Sequence, residues 1–474
     1  MTQKENNKLR LDYNGMTDSF IKNGISQQDI EGLSEKVKNA AIKITEKRKN
    51  GGMDFFDLPY NQESVIKDIE SYVAEKKDKI EAFVLLGIGG SALGPMAVQQ
   101  AINHPLYNEL DKDKRGGFPK FYVVDNVDPE KLVYLFQVID IEKCLFNVVS
   151  KSGSTSETMS QFMIIVDELE KRLGKEKAKE NIVATTDAVN GNLIKIAQAN
   201  GYKTFIIPSG VGGRFSQLTP VGLLPAAFTG ISIRELLSGA AYMDELTRVD
   251  EKLDMYKNPA IMYAILNYIG IQRGWCMSVL MPYADSLKFI SDWYAQLWAE
   301  SLGKKYDLNG NIVNVGQTPV KALGATDQHS QVQLYTEGPY DKIIVLMGVD
   351  EYRETITIPK IYGDIPSLGF LGGHTHNTLI QREQQATEYA LTKENRPNMT
   401  ITLPRVNEFS IGQVLYFFEV ATAYMGELLE IDAFDQPGVE EGKNATYALF
   451  DRPGYEDKKQ ELLNAPKKDK NKII

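Results

Sequence analysis

Cysteine, histidine and tryptophan are scarce in this chain, with 2, 4 and 3 residues respectively among 474. Two cysteines, Cys144 and Cys276, cannot build a disulfide framework. Both stand beside strand-like apolar runs and are expected as core thiols in a reducing compartment. Four histidines leave little for a metal site. The pair His374-x-His376 has no spaced glutamate or further histidine nearby to complete a ligand set, so no metal is expected. The longest apolar stretch, Phe83 to Val98, is broken by glycines and a proline and is too short to cross a membrane. The opening residues MTQKENNKLRLDY lack the apolar core of a signal peptide. No GxxxxGK[ST] loop and no GxSxG elbow occurs, which removes a nucleoside-triphosphate loop and leaves a serine triad unsupported. A basic excess is missing too. Lys+Arg 53 against Asp+Glu 63 gives a net charge of −10, which repels nucleic acid and anionic membrane at long range. A cytoplasmic protein with neither as partner is expected.

What is present fits a folded α/β protein. Hydrophobic residues at 43% and charged residues at 24% exclude disorder for most of the length, and 474 residues allow two or three domains. Short apolar runs recur at 82–87, 120–125, 145–150, 181–186 and 203–208. A second series follows at 276–281, 342–347, 355–359 and 399–404. Continuous apolar runs, rather than alternating ones, are expected of strands covered on both faces. Between them lie helix-period segments such as 159–174 and 286–303. This alternation predicts mainly parallel sheets of βαβ units in three-layer α/β/α domains. The expected division is an N-terminal helical segment (1–64), a first α/β domain (65–230), a second (231–430) and a C-terminal arm (431–474). The Lys-rich end 467–472 reads as a solvated terminus.

Several segments could carry chemistry. The turn GIGGSALG (87–94) opens a helix with glycines, which suits backbone approach to a ligand. It formally fits a dinucleotide fingerprint, but the acidic residue expected about 20 positions later is missing, so no nicotinamide cofactor is supported. In SKSGSTSET (150–158), five hydroxyls and Lys151 crowd a helix start. One cap needs one hydroxyl, whereas a phosphate offers three acceptors and about two charges. Arg214, among glycines in 210–222, reads either as a surface arginine or as an oxyanion stabiliser. In YAQLWAESLGKK (294–305), Gln296 and Glu300 share one helix face. Glu300 stands near the helix end, where the dipole works against a carboxylate, and is a candidate proton-transfer base. An ion pair with Lys304 is the plainer alternative. His329 follows Asp327 by two residues in a polar stretch. Gln436 and Lys443 lie in FDQPGVEEGKNA (434–445), which alone reads as a solvated helix start.

Taken together, GIGGSALGP, SKSGSTSET, GGRFS, QLWAESLGK, DQHS and FDQPGVEEGK resemble, in order, the motifs of the glucose-6-phosphate isomerase (phosphoglucose isomerase) family over roughly residues 80–450. The resemblance implies two sugar-isomerase (SIS-type) α/β/α domains and a homodimer with shared active sites. It implies that Ser150, Lys151 (through its backbone), Ser152 and Thr155 hold a phosphate, and that Gly90, Ser91, Gln296 and Gln436 line the sugar site. Glu300 would be the base and Arg214 the stabiliser of the enediolate. His329, reaching in from the neighbouring subunit, would open the sugar ring with Lys443. Ser152 and Ser154 stand where the family usually carries threonine, and the hydroxyls are kept.

The implied reaction is the reversible isomerisation of glucose 6-phosphate and fructose 6-phosphate in glycolysis and gluconeogenesis, with no cofactor. A dual enzyme that also takes mannose 6-phosphate, and a non-catalytic sugar-phosphate-binding SIS protein, remain as alternatives at this stage. The joint presence of Glu300, His329, Arg214 and Lys443 speaks against the second.

Overall fold

The computed structural model describes residues 7–249 and 253–474. The first six residues of the expected N-terminal segment, and 250–252 in the second domain, lie outside the described residues. The strands in chain order are β1 (Arg10–Asp12), β2 (Ala82–Leu86), β3 (Lys120–Val124), β4 (Cys144–Val149), β5 (Ile182–Thr186) and β6 (Lys203–Ile206). They continue with β7 (Met277–Pro282), β8 (Lys304–Tyr306), β9 (Ile312–Val315), β10 (Thr318–Lys321), β11 (Lys342–Glu351) and β12 (Asn398–Arg405). One sheet has the order β3-β2-β4-β5-β6 and is parallel throughout. The other has the order β1-β12-β11-β7-β10 and is parallel except for β1. A small antiparallel pair, β8-β9, stands apart.

The unbroken apolar runs are explained by the pleat, which sends successive side chains to opposite faces. In β2, Phe83 and Leu85 enter one hydrophobic cluster while Ala82, Val84 and Leu86 enter another. The outer cluster is closed by the helix Ser156–Leu173, whose Phe162, Ile165 and Leu169 recur at helical spacing and are buried. In the second sheet Leu280, Ile343 and Val345 face the large shared core, while Val279, Ile344 and Leu346 face a smaller cluster. The shared core is threaded by the helix Glu408–Leu429, which is buried on nearly every side.

Several features depart from the sequence reading. The run 355–359 is no strand. Its one pairing is an isolated bridge between Thr357 and Thr375, and four of its five residues are exposed, so no neighbouring sheet in this chain rewards the extended backbone. Strand β1 went unrecognised because RLD carries charge at both ends. It is an edge strand, held by pairing to β12, by an Arg10–Asp350 ion pair of 2.6 Å and by the Leu9 N–H donating to Gln413 Oε1 at 3.0 Å. Strand β10 contains Pro319, which an edge position tolerates. The expectation of two core thiols also needs correction: Cys144 is buried, but Cys276 is exposed. Cys276 precedes β7 in a turn, its N–H bonded to Gly274, so its side chain is not covered by a neighbouring strand. Among the described residues no helix is long and apolar enough to cross a membrane.

One buried group has no evident structural use. Glu419 in the helix Glu408–Leu429 is fully buried, and neither carboxylate oxygen has a partner. Burial raises its pKa well above the usual 4.5, so the folded chain keeps it protonated. The stability this proton contributes is complete below 4.5. Above that value the unfolded chain ionises, and stability falls with rising pH by about 1.4 kcal/mol per pH unit until the raised folded value is reached. Glu419→Gln removes this slope. Urea unfolding at pH 6 and pH 8 should show the gap between variant and wild type moving in the variant's favour as pH rises. A gap that does not move would show that Glu419 ionises freely in the folded chain.

Candidate active site

The loops that follow β2, β4 and β6 leave the same, C-terminal edge of the first sheet, where open α/β sheets bind ligands. After β4, the loop Ser150–Thr155 leads into the helix Ser156–Leu173. Thr155 is the N-cap residue, yet its side chain makes no cap hydrogen bond. The bland reading of this hydroxyl cluster as a cap therefore fails. The first helical amides have no side-chain cap from Thr155 and are left as donors. Ser150 Oγ accepts from the Gly153 N–H at 3.0 Å and lies 3.2 Å from Thr155 Oγ1. The Ser152 and Ser154 hydroxyls are 2.8 Å apart. Gly153 is required here: its φ is +61°, and a Cβ would stand 2.1 Å from the Leu193 nitrogen. Lys151 sends its ammonium away from the loop, to the carbonyls of Ser209 (2.6 Å) and Val211 (3.0 Å), and burial lowers its pKa. Its side chain thereby ties this loop to the one carrying Arg214, while its carbonyl accepts from the Asp187 N–H at 3.4 Å.

Arg214 is buried and joins its own loop to two distant segments. Its Nε donates to Ser301 Oγ at 2.6 Å, and its Nη1 reaches Gln436 Oε1 at 2.9 Å and Glu300 Oε2 at 3.4 Å. Its Nη2 donates to the carbonyls of Ala433 (2.5 Å) and Asp435 (3.0 Å). Burial pulls its pKa below the usual 12.5, opposed by the Glu300 carboxylate. Arginine remains cationic under such a shift.

Glu300 belongs to the helix Lys288–Leu302, whose apolar face (Ile290, Trp293, Tyr294, Leu297, Trp298) is buried in the core. Its own side chain stays one-third exposed at 34%, and Gln296 Nε2, one turn earlier, donates to its Oε1 at 3.1 Å. The alternative pairing with Lys304 is not made. Lys304 is buried and donates instead to the carbonyls of Glu300 (2.6 Å) and Ser301 (2.9 Å), ending the helix and leaving the carboxylate free of that ion pair. Desolvation lowers the Lys304 pKa, with the Arg214 charge adding to it.

The turn Gly89–Ser91 completes the cluster. A Cβ on Gly90 would stand 2.2 Å from the Gly213 carbonyl oxygen, so only glycine lets this turn approach the Arg214 loop. Thus Gly90, Arg214, Gln296, Glu300 and Gln436 are brought together within this chain.

His329 and Lys443 are not joined to them. His329 is exposed at the end of the 3-10 turn Thr326–His329. Asp327 beside it is committed to the Leu323 N–H (2.7 Å) and to Ser330 Oγ (2.5 Å). Lys443 lies on the helix Glu440–Leu449 and pairs with Glu440 at 2.7 Å, its side chain half exposed. Among the described residues no group of three His, Cys, Asp or Glu side chains could hold a metal ion. Ser301 escaped the sequence reading, and Lys304 entered it only as an ion-pair partner of Glu300. Nothing in the local pattern marks Ser301, and Lys304 carried a signal only as a partner for the wrong atom of Glu300.

The arrangement sets a buried cation against a carboxylate that solvent and ligand can reach, in a chain whose loop after β4 is rich in hydroxyls and amides. That combination suits proton abstraction from carbon, with charge stabilisation on a developing oxyanion. Comparisons with known proteins point the same way. A family model described as phosphoglucose isomerase matches residues 62–463. The chain is 52% identical over 97% of its length to a glucose-6-phosphate isomerase of Carboxydothermus hydrogenoformans, covering 98% of that protein. It is 40% identical over 94% of its length to one of Rubrobacter xylanophilus, covering 99% of it. Among solved structures, a hypothetical protein of Thermus thermophilus superposes with a TM-score of 0.83 at 35% identity, covering 94% of this chain and 100% of that one. A glucose-6-phosphate isomerase of Chlamydia trachomatis shares the fold with a TM-score of 0.71 at 23% identity, over 84% of this chain and 76% of that one.

Arg214→Met keeps the bulk but strips the donors from Ser301 Oγ and from the Ala433 and Asp435 carbonyls. Leaving such groups unpaired should lower the unfolding free energy by about 3 kcal/mol or more. Limited proteolysis should also cut the stretch 433–443 faster than in the wild type. An arm as resistant as before would show that other contacts hold it.

Proposed function

The chain belongs to the phosphoglucose isomerase family, and from that premise we propose that it interconverts glucose 6-phosphate and fructose 6-phosphate, serving glycolysis in one direction and gluconeogenesis in the other. The observation that carries this reading is the Glu300 carboxylate, free of Lys304 and set against the buried Arg214 guanidinium.

The substrate's phosphate binds the loop of Ser150, Lys151, Ser152 and Thr155, where hydroxyls and helix-start amides supply donors. In a protein of net charge −10 this local cradle supplies the attraction that the whole surface does not. Gly90, Ser91, Gln296 and Gln436 line the sugar. For the ring to open, a proton must reach the ring oxygen and the O1 proton must leave, and His329 with Lys443 forms the pair that serves this step. In the open aldose, Glu300 removes the hydrogen on C2. The pair from that C–H bond forms the C1–C2 double bond, and the carbonyl pair moves onto O1, giving a cis-enediolate. Arg214 stabilises that charge. The O2 proton then passes to O1, Glu300 returns its proton to C1, and the pair left on O2 forms the C2 carbonyl. Each proton taken from the sugar is matched by one given back, with exchange against solvent while Glu300 holds it, and the electrons stay within the sugar, so the balance closes without a redox partner. General base catalysis of this kind contributes about 10²–10⁴-fold.

We propose further that the enzyme is a cytoplasmic homodimer in which His329 serves the site of the neighbouring subunit. Two features support this. His329 is exposed, with no hydrogen bond or ion pair to Glu300 or Arg214 of its own chain among the described residues. The segment around 355–370 carries Ile356, Ile361, Tyr362, Leu368 and Phe370 exposed to solvent, an apolar surface of the kind that partner subunits cover.

Glu300→Gln is nearly isosteric and cannot accept the proton. It should retain sugar-phosphate binding while turnover falls by about 10²-fold or more. Activity within tenfold of wild type would remove Glu300 from the base role. Deuterium exchange at C1 and C2 in deuterated water, dependent on wild-type enzyme and lost in this variant, separates isomerase from a mere binder. Mixing inactive Glu300→Gln subunits with inactive His329→Ala subunits should restore about a quarter of wild-type activity, since half of random dimers then hold one complete site. No recovery on mixing, with subunit exchange verified, would place His329 in its own subunit's site.

A further inference from the structure

The last of the sequence motifs ends at Lys443, and the chain continues through a second helix, Glu456–Asn464. Its use becomes visible at Tyr447. Lys443 and Tyr447 stand one turn apart on the helix Glu440–Leu449, and therefore on one face. The Tyr447 hydroxyl donates to the carbonyl of Ser154, in the hydroxyl-rich loop, at 3.4 Å. Around that contact the helix stands off from the body. A cavity of about 1000 Å³ separates it from the helix Ser156–Leu173, lined by Met159, Met163 and Ile196 on one side and by Tyr447 and Phe450 on the other. Ala448 is the one buried residue of the helix. The Tyr447 ring is itself held in place. The Arg452 guanidinium lies 4.3 Å from its centroid and 5.3 Å from that of Tyr455, and the two rings meet edge to face at 5.3 Å. Upstream, Arg214 pins the arm at Ala433, Asp435 and Gln436. Lys443 thus sits between two attachments, one to the Arg214 site and one to the loop.

We propose that Tyr447 is a positioning residue that ties the hydroxyl-rich loop to the placement of the Lys443 ammonium, so that ring opening depends on a loaded loop. This rests on the reading of Lys443 as a ring-opening group. Filling the loop with a phosphate orders its backbone, including the Ser154 carbonyl, whose own N–H already bonds Ser152 Oγ at 3.2 Å. Through Tyr447 that order reaches Lys443 one turn away. Arg452 and Tyr455, at the entry to the second helix, brace the phenol.

A double-mutant cycle tests the proposal with Tyr447→Phe, Lys443→Ala and the pair together. Phenylalanine keeps the ring stack and removes only the hydroxyl, and an unchanged thermal midpoint verifies the fold. Tyr447→Phe should lower kcat for glucose 6-phosphate about 5- to 10-fold, leave the inhibition constant of inorganic phosphate within about twofold, and cause no further loss in the Lys443→Ala background. An unchanged kcat, or an equal loss in both backgrounds, overturns the coupling. So does a phosphate inhibition constant that rises in step with the loss of kcat/KM, which would confine Tyr447 to shaping the loop. A Lys443→Ala enzyme with wild-type turnover overturns the underlying ring-opening role instead, and the coupling falls with it.

Discussion

A guanidinium with five N–H donors cannot be buried until each finds an acceptor, and Arg214 meets that demand only where three parts of the chain converge. The loop after β6 supplies the arginine, the helix Lys288–Leu302 supplies Ser301 and Glu300, and the arm supplies Gln436 and two backbone carbonyls. Satisfying one charge therefore assembles the cleft. The same contacts that make the arginine tolerable in the interior place its charge beside the carboxylate, where an oxyanion would form during the reaction. Stability and chemistry share these hydrogen bonds.

The two sheets provide the rigid frame for this convergence. Each is covered on both faces, and each sends alternate side chains into different clusters, so register and strand order are set by burial. The loops at the C-terminal ends of β2, β4 and β6 then emerge at fixed positions on one edge. Gly90 and Gly153 let two of these loops pack closer than any side chain would allow. Lys304, capping the carbonyls at the end of its helix, keeps the Glu300 carboxylate available by occupying itself elsewhere.

The acidic net charge and the phosphate cradle are complementary rather than contradictory. A surface of net −10 offers a dianionic sugar no long-range attraction, so in the proposed reaction recognition falls to short-range donors at one helix start and one buried cation. With the proposed base on a packed helix and the proposed phosphate donors on a loop of the other sheet, proton transfer is separated from binding. The two can then be held at a set distance by the protein body.

What the sequence determined by itself was whatever neighbouring residues encode together. The strands β2, β4, β5, β7, β11 and β12 were legible as apolar runs, the helix Lys288–Leu302 as an apolar stripe, and the loops at 87–94 and 150–155 as crowded small and hydroxylated residues. Six motifs in order were enough to mark the family, and Glu300 and Arg214 as candidates within it. Tertiary structure decided what depends on partners far along the chain. Residues 355–359 have strand-like composition but no sheet to join, whereas RLD at 10–12 pairs with β12 nearly 400 positions away. Cys276 is exposed because β7 begins just after it. Lys304 turned from carboxylate to carbonyl, Ser301 became a ligand of Arg214, and Tyr447 reached Ser154, none with a local signal. The physical reason is one of range. Periodicity and turn chemistry act over a few residues, while satisfying a buried charge or covering an apolar face requires knowing what the fold brings alongside.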